Sequence, residues 1–161
     1  MLGVSPRALA VVEMRHEALD HGRIFDGRLI LKGIMDVEDA RLASDSGADA
    51  LIVSNHGGRQ LDSAPSSISA LRAIAEAVGS RIEVWMDGGL RSGQDVLKAW
   101  ALGARGILIG RSFLYSLGAH GEAGVSKALK IIQRQLNPSM PFCGHPDIGK
   151  IDEATLLTGS Y

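Results

Sequence analysis

The stretch DARLASDSGADALIVS, residues 39–54, decides the fold of this chain. Its first half has the spacing of apolar residues that is typical of a helix, which we predict over residues 37–46, with Asp36 as the N-cap. Gly47 ends the helix, and the apolar run within residues 48–55 lacks the alternation of a half-exposed strand. The stretch therefore predicts a helix that leads directly into a buried β-strand.

The same pattern returns 56 positions later, in DVLKAWALGARGILIG at residues 95–110. This offset aligns Asp39 with Asp95 and Gly47 with Gly103, so we interpret the chain as a duplicated βαβα unit. Buried strands are predicted at residues 28–36, 48–55, 81–89 and 104–111. Helices are predicted at residues 37–46, 68–78, 96–102 and 125–136.

Strands that alternate with helices of this length form right-handed crossovers and pair in parallel. The predicted fold class is therefore α/β, with a parallel (β/α)4 arrangement that is half of a TIM (β/α)8 barrel. An open half barrel leaves two strand edges unpaired and one apolar face of its sheet bare. Three arrangements are compatible with this open half barrel: a fragment of a longer barrel, two associated copies, or a sheet that flattens into a doubly wound layer.

The chain is predicted to have three parts. We expect a divergent N-terminal segment at residues 1–24, the half barrel at residues 25–136 and a C-terminal extension at residues 137–161.

Composition and charge narrow the class of protein. The 161 residues suffice for one domain, and 17 Lys and Arg against 18 Asp and Glu predict no nucleic-acid partner. The apolar run at residues 8–12 is too short for a transmembrane segment or a signal peptide. Cys143 is the sole cysteine and forms no intrachain disulfide, which favours a cytoplasmic location. No metal is predicted, because no metal-ligand spacing relates Cys143 to the histidines at positions 16, 21, 120 and 145.

Polar side chains follow all four predicted strands. Lys32 ends the first strand, and the second is followed by a loop that contains several polar groups. The residues at the strand ends are Lys32, Ser54, His56, Arg59, Asp87, Gly110 and Arg111. Because the carboxyl ends of parallel strands meet on one face of a barrel, this pattern predicts a functional face there.

His56 is the candidate general base of this face. A loop histidine on its own is more often a structural residue whose hydrogen bonds are satisfied locally. With Asp87 one strand away to orient the ring, and Arg59 three positions on to bind a carboxylate, His56 becomes a candidate for accepting a proton.

Two glycine-containing loops suggest a phosphate site. GGLRSG at residues 88–93 and IGRS at residues 109–112 follow the third and fourth strands, where phosphate-binding barrels present backbone amides. Glycines also make ordinary tight turns, but each loop adds an arginine, and this favours phosphate. The candidate residues are Gly88, Gly89, Arg91, Gly110 and Arg111. Lys32 either extends its ammonium into solvent or places a fixed positive charge beside an anionic cofactor.

Four segments resemble the FMN-dependent L-2-hydroxy acid oxidases and dehydrogenases, a family that includes glycolate oxidase, lactate oxidase, flavin-type L-lactate dehydrogenase and mandelate dehydrogenase. In order they are LILKGI (29–34), SNHGGRQLD (54–62), DGGLRSGQDVLKAWALGA (87–104) and IGRSFLYSLGAHGEAGV (109–125). The resemblance runs from about Phe25 to about Asp152 and corresponds to the C-terminal half of a usual member.

The resemblance implies FMN as the cofactor and a role for each candidate residue. His56 takes the proton of the substrate, Arg59 holds its carboxylate, and Asp87 pairs with His56. Lys32 lies near the N1 side of the flavin, where it stabilises the reduced, anionic ring, and Ser54 forms a hydrogen bond with the flavin. Asp87, Gly88, Gly89, Arg91, Gly110 and Arg111 bind the ribityl and phosphate parts.

The implied reaction is the oxidation of an L-2-hydroxy acid to the 2-oxo acid, by hydride transfer or through a carbanion. Because the N-terminal half of the family barrel is absent from this sequence, we expect the C-terminal half of such an enzyme, as a truncated product or fragment with weak or no activity alone. The alternative is a non-catalytic homodimeric half barrel that at most binds FMN or phosphate.

Overall fold

The computed structural model describes residues 9–13 and 27–157. Within them, five parallel β-strands form one sheet. The strands are β1 Leu9–Glu13, β2 Arg28–Ile34, β3 Ala50–Val53, β4 Glu83–Met86 and β5 Gly106–Ile107. The helices are α1 Val37–Asp45, α2 Ser67–Val78, α3 Gly93–Ala101 and α4 Arg111–Phe142. Short 3-10 turns lie at His56–Gly58, Ile148–Lys150 and Glu153–Thr155.

The strands lie in the sheet in their order along the chain, β1-β2-β3-β4-β5. A doubly wound sheet reverses its strand order at a switch point, whereas each strand of a TIM barrel lies beside its successor. The sequential order therefore matches part of a barrel wall, and it argues against the flat doubly wound layer. The predicted α/β class with four parallel strands that alternate with helices is confirmed.

The strand β1 was not predicted. It pairs in parallel with β2, with Leu9 opposite Arg28 and Glu13 opposite Lys32. The sequence pattern predicts no strand in residues 1–24, where the apolar run at residues 8–12 is too short for a membrane segment. Five residues are too few to cross a bilayer but are an ordinary length for a strand. The sheet therefore has one more strand than the sequence pattern predicts.

The caps of α1 and α3 explain why these helices begin where they do. The Asp36 side chain accepts a hydrogen bond from the backbone N–H of Glu38, and Ser92 forms a capping box with Asp95. Both cap positions are related by the 56-residue offset of the repeated pattern. The repeat therefore extends to the hydrogen bonds that start the two helices.

The helix α4 is longer than predicted. It begins at Arg111 instead of residue 125 and is interrupted at His120 and Gly121, where Gly121 has a φ of 56°. It continues through Pro138 and Pro141, beyond the end predicted at residue 136. Glycines at positions 118, 121 and 124 interrupt the apolar spacing by which this helix could be recognised in the sequence. None of the helices in the described part of the chain combines the length and apolarity that a membrane crossing requires.

Side chains alternate between the two faces of the sheet. The helix-facing cluster holds Leu31, Leu51, Val53, Val84 and Met86 against Leu71, Ile74 and Val78 of α2. On the inner face, Ile30, Ala50 and Ile52 are buried, with Trp85 and Leu108 packed beside them. Ile30 is 2% exposed and Ile52 is 0% exposed within a single chain, so the apolar inner face that we expected to be bare is covered at these positions.

The residues after α4 pack back on the helical layer. Ile151 is 3% exposed and clusters with Leu97 and Ala101 of α3. The Arg72 guanidinium of α2 lies 2.8 Å from the Glu153 carboxylate. The end of the described chain is therefore tied to two helices on the outside of the sheet.

Candidate functional site

A β-bulge at the end of β2 shapes the first part of the site. Lys32 lies opposite Ile52, and Ile34 lies opposite Val53, which leaves Gly33 as an extra residue. Gly33 has a φ of 99°, a conformation that glycine adopts without steric cost. The bulge interrupts the regular pairing directly after Lys32. The Lys32 side chain lies on the same inner face of the sheet as that of Ile30.

Lys32 joins the ends of three strands. Its Nζ lies 3.1 Å from Ser54 Oγ and 3.2 Å from Asp87 Oδ2. Ser54 is fully buried, and about one fifth of each charged side chain is exposed. The other carboxylate oxygen, Asp87 Oδ1, is buried and has no hydrogen-bond partner among the described residues. The site therefore holds an ion pair with one unused acceptor atom.

The loop after β3 turns sharply to present His56. The Asn55 side chain accepts a hydrogen bond from the backbone N–H of Gly57 at 3.0 Å, and His56 itself has a φ of 55°. The His56 N–H donates to Ser54 Oγ at 3.2 Å. The Arg59 Nε donates to the His56 carbonyl at 3.1 Å. Local hydrogen bonds therefore fix the backbone of His56, the predicted base, and the side chain of Arg59, which is predicted to bind a carboxylate.

Two residues to which the sequence assigned no role hold this loop in place. The Asn55 N–H donates to Ser67 Oγ at 3.2 Å, and its side chain donates to the Pro65 carbonyl at 3.0 Å. A Cβ built on Gly88 would lie 3.0 Å from Ser67 Oγ and 3.4 Å from Asn55 Oδ1, so this glycine lets the next loop approach closely. The sequence signal for Asn55 is its position before His-Gly-Gly, because asparagine side chains stabilise such turns.

The loop after β4 is fixed by Asp95. The carboxylate oxygen Asp95 Oδ2 accepts hydrogen bonds from the N–H groups of Arg91 at 3.0 Å and Ser92 at 2.9 Å. Burial alone raises the pKa of the Asp95 carboxyl, but hydrogen bonds from Arg91 and Ser92 outweigh it and hold the pKa below its ordinary value. The Ser112 hydroxyl donates to the Leu90 carbonyl at 3.3 Å and so joins this loop to the start of α4.

These loops surround one cavity of about 300 Å³. The predicted site residues that line it are Lys32, His56, Arg59, Asp87, Gly88, Gly89, Arg91, Gly110 and Arg111. Ser54 is not in the lining and lies behind it as a partner of Lys32. Sequence patterns missed the apolar part of the wall, which Leu90, Leu108, Ile109 and Leu114 provide. Asp87 has Lys32 as a partner, and its predicted pairing with His56 stays a prediction.

Comparisons with known proteins identify the family. A family model described as FMN-dependent dehydrogenase matches residues 18–158. An L-lactate dehydrogenase of Caulobacter vibrioides is 53% identical over 130 residues, which are 81% of this chain and 34% of the relative. A pre-mycofactocin synthase of Mycobacterium tuberculosis is 46% identical over 134 residues, 83% of this chain and 34% of the relative. The chain thus spans about a third of the length of these relatives.

Solved structures agree with the sequence matches. Mandelate oxidase with 3,3-difluoro-2-hydroxy-3-phenylpropionic acid has a TM-score of 0.81 and 44% identity, over 85% of this chain and 42% of that one. A mandelate oxidase variant with a monooxide FMN adduct has a TM-score of 0.79 and 45% identity, over 82% of this chain and 42% of that one. The strand order of a barrel wall and the loops around one cavity agree with these matches. The chain therefore belongs to the family of FMN-dependent dehydrogenases.

Proposed function

We propose that this chain supplies one part of an FMN-dependent active site that oxidises an L-2-hydroxy acid to the 2-oxo acid. The observation that carries the proposal is the convergence of Lys32, His56, Arg59 and Asp87 on one cavity at the carboxyl ends of parallel strands. Because the chain covers about a third of the length of its relatives, the proposal includes only weak activity of the chain alone.

The residues around the cavity fit FMN. Arg91 and Arg111 give positive charge for a phosphate, and Gly88, Gly89 and Gly110 permit a close approach of the backbone. Lys32 places a cation in the same cavity, and Asp87 Oδ1 is a buried acceptor in need of a donor, such as a ribityl hydroxyl or a flavin N–H. When bound, FMN accepts the two electrons that the substrate loses.

The residues of this chain have distinct tasks in that proposal. His56 accepts a proton from the substrate through its imidazole. Arg59 binds the substrate carboxylate, because its Nε is held by the His56 carbonyl, and no described residue accepts from its terminal amino groups. Leu90, Leu108 and Leu114 give the cavity an apolar wall beside these charged groups.

The test is flavin binding followed by substrate reduction. The purified chain is titrated with FMN, and the bound flavin is then mixed with L-lactate, glycolate or L-mandelate without oxygen. We expect FMN binding and, because the chain covers only part of the family barrel, slow bleaching of the flavin absorbance. His56→Gln is expected to abolish bleaching and keep FMN binding, whereas His120→Gln, an exposed histidine outside the cavity lining, behaves as the wild type. Failure to bind FMN contradicts the cofactor assignment, and normal bleaching in His56→Gln contradicts the base.

The class of substrate is tested by removal of its carboxylate. If Arg59 binds that group as an ion pair, mandelamide reduces the flavin much more slowly than L-mandelate does. We expect the difference between the two compounds to disappear in Arg59→Leu. An equal rate with acid and amide in the wild type argues for a substrate other than a 2-hydroxy acid.

A second candidate is a homodimer that binds FMN or phosphate without turnover. The observation in its favour is apolar surface on α4, where Leu114 is 55% exposed, Leu117 43% and Leu129 52%. Light scattering gives the mass, and FMN binding without bleaching in a dimer favours this candidate. A monomer that bleaches with substrate excludes it.

A further inference from the structure

We infer that Gly33 is a positioning residue for the imidazole of His56, a role that rests on the proposed function of His56. Nothing in the sequence distinguishes Gly33 from a turn glycine. The bulge of β2 places Gly33 directly beside the imidazole ring of His56.

The contact is steric and is directed at one end of the ring. A Cβ built on Gly33 would lie 2.8 Å from His56 Nε2, 3.5 Å from Cε1 and 3.8 Å from Cδ2. Carbon and nitrogen atoms in contact normally keep more than 3 Å, so a methyl group would displace the ring or the bulge. The nearest atom is the tip of a side chain, which moves more easily than backbone. The space that Gly33 leaves open is therefore the space in which the Nε2 end of the imidazole sits.

The backbone of His56 cannot follow a displaced ring. Its N–H is bonded to Ser54 Oγ, its carbonyl accepts from Arg59, and its φ of 55° is held by the surrounding turn. Displacement must therefore occur by rotation of the side chain. A general base requires its nitrogen within about 2.6–3.2 Å of the proton donor, so a rotation of this kind removes the geometry on which proton transfer depends.

The matched pair of variants is Gly33→Ala and Gly47→Ala. Both glycines have positive φ, 99° and 85°, so both substitutions strain the backbone. A Cβ on Gly47 meets nothing within 4 Å, and this residue follows α1 away from the cavity. The difference between the two variants therefore isolates the contact with His56.

The first measurement needs neither FMN nor activity. In imidazole NMR spectra of the chain, the His56 cross-peaks are assigned by their loss in His56→Gln. We expect Gly33→Ala to displace these cross-peaks and Gly47→Ala to leave them in place. If the displacement in Gly33→Ala is no larger than in Gly47→Ala, the inference is wrong.

A double-mutant cycle covers the case in which Gly33→Ala fails to fold. If the methyl group collides with the ring, His56→Ala relieves the collision. The double variant then folds, and its urea midpoint lies no further below that of His56→Ala than Gly47→Ala lies below the wild type. The same loss in both backgrounds, or an unfolded double variant, means that backbone strain alone decides and overturns the inference.

Flavin reduction separates this inference from the proposed function. In an FMN-loaded chain that reacts with an L-2-hydroxy acid, we expect Gly33→Ala to slow reduction about 100-fold, as a misplacement of about 1 Å does elsewhere, with FMN binding kept. A wild type without reduction removes the proposed function, while the NMR result and the cycle still decide whether Gly33 seats the ring.

Discussion

The Lys32 ammonium lies 3.2 Å from the Asp87 carboxylate, across the ends of β2 and β4, with the buried Ser54 hydroxyl of the intervening strand end 3.1 Å from the same nitrogen. The pair neutralises two charges on the inner face of the sheet, where only about a fifth of each side chain is exposed. Each charge therefore offsets the desolvation cost of the other, and we expect the site to require both.

Removal of one partner should cost more than removal of both. Lys32→Met leaves the Asp87 carboxylate without its cation, and we expect the free energy of unfolding to fall by about 2 kcal/mol, less than for a fully buried pair. Asp87→Asn in the Lys32→Met background recovers part of that loss. Urea unfolding of the four chains measures the coupling.

The control is an exposed pair on α1. Arg41→Met removes the partner of Glu38, and both side chains there are more than half exposed, so a change below about 0.5 kcal/mol is expected. Strictly additive losses for Lys32 and Asp87 would mean that the pair contributes no coupling at the strand ends.

The strand ends could be predicted from the sequence, whereas their contacts could not. Short apolar runs that end in Lys32, Ser54 and Asp87 locate the functional face, because strands that alternate with helices pair in parallel and their carboxyl ends meet on one face. That Lys32 pairs with Asp87 depends on the register of three strands and on the bulge at Gly33. A sequence pattern carries no information about that register.

The missed elements have related causes. The apolar run at residues 8–12 is short, and no predicted helix follows it that would mark a βα unit. The start of α4 at Arg111 is hidden because glycines interrupt its apolar period. Asn55 belongs to the SNHGGRQLD segment, but its contact with Ser67 joins residues twelve positions apart and is visible only in the structure.

Arg59→Lys should weaken the recognition of substrate. Lysine retains the charge but loses the planar fork, so it cannot donate to the His56 carbonyl and bind a carboxylate with two parallel hydrogen bonds. We expect the L-2-hydroxy acid concentration for half-maximal flavin reduction to rise about tenfold and the limiting rate of reduction to fall. Anaerobic flavin reduction at several substrate concentrations gives both values. Arg41→Lys on α1 is the control, and unchanged kinetics in Arg59→Lys would remove the carboxylate from its proposed partners.

Ile151 should be an anchor for the end of the described chain. It is 3% exposed and packs on Leu97 and Ala101 of α3. Ile151→Ala is expected to lower the free energy of unfolding by about 2–3 kcal/mol through lost burial and a cavity. Leu157→Ala, at an 81% exposed position nearby, changes it little. Similar small losses in both variants, measured by urea unfolding, would mean that the chain after α4 adds nothing to stability.

Asp95 should make the stability of the chain depend on pH. Hydrogen bonds from Arg91 and Ser92 exceed the opposing effect of burial and lower the pKa of this carboxyl below its ordinary 3.8. A carboxyl whose pKa is lower in the folded state stabilises the fold above its unfolded pKa, and this contribution is lost as the pH falls through the folded value. Asp95→Asn should therefore lower the free energy of unfolding by about 1 kcal/mol at pH 7. The gap in unfolding free energy between this variant and the wild type should close below about pH 4.

Asp39→Asn, at the equivalent position of α1, is the matched control, because no described residue donates such hydrogen bonds to Asp39. Urea unfolding at pH 7, 5 and 3 checks the prediction, and a gap for Asp95→Asn that stays constant over this range contradicts the assignment of the charge as its source.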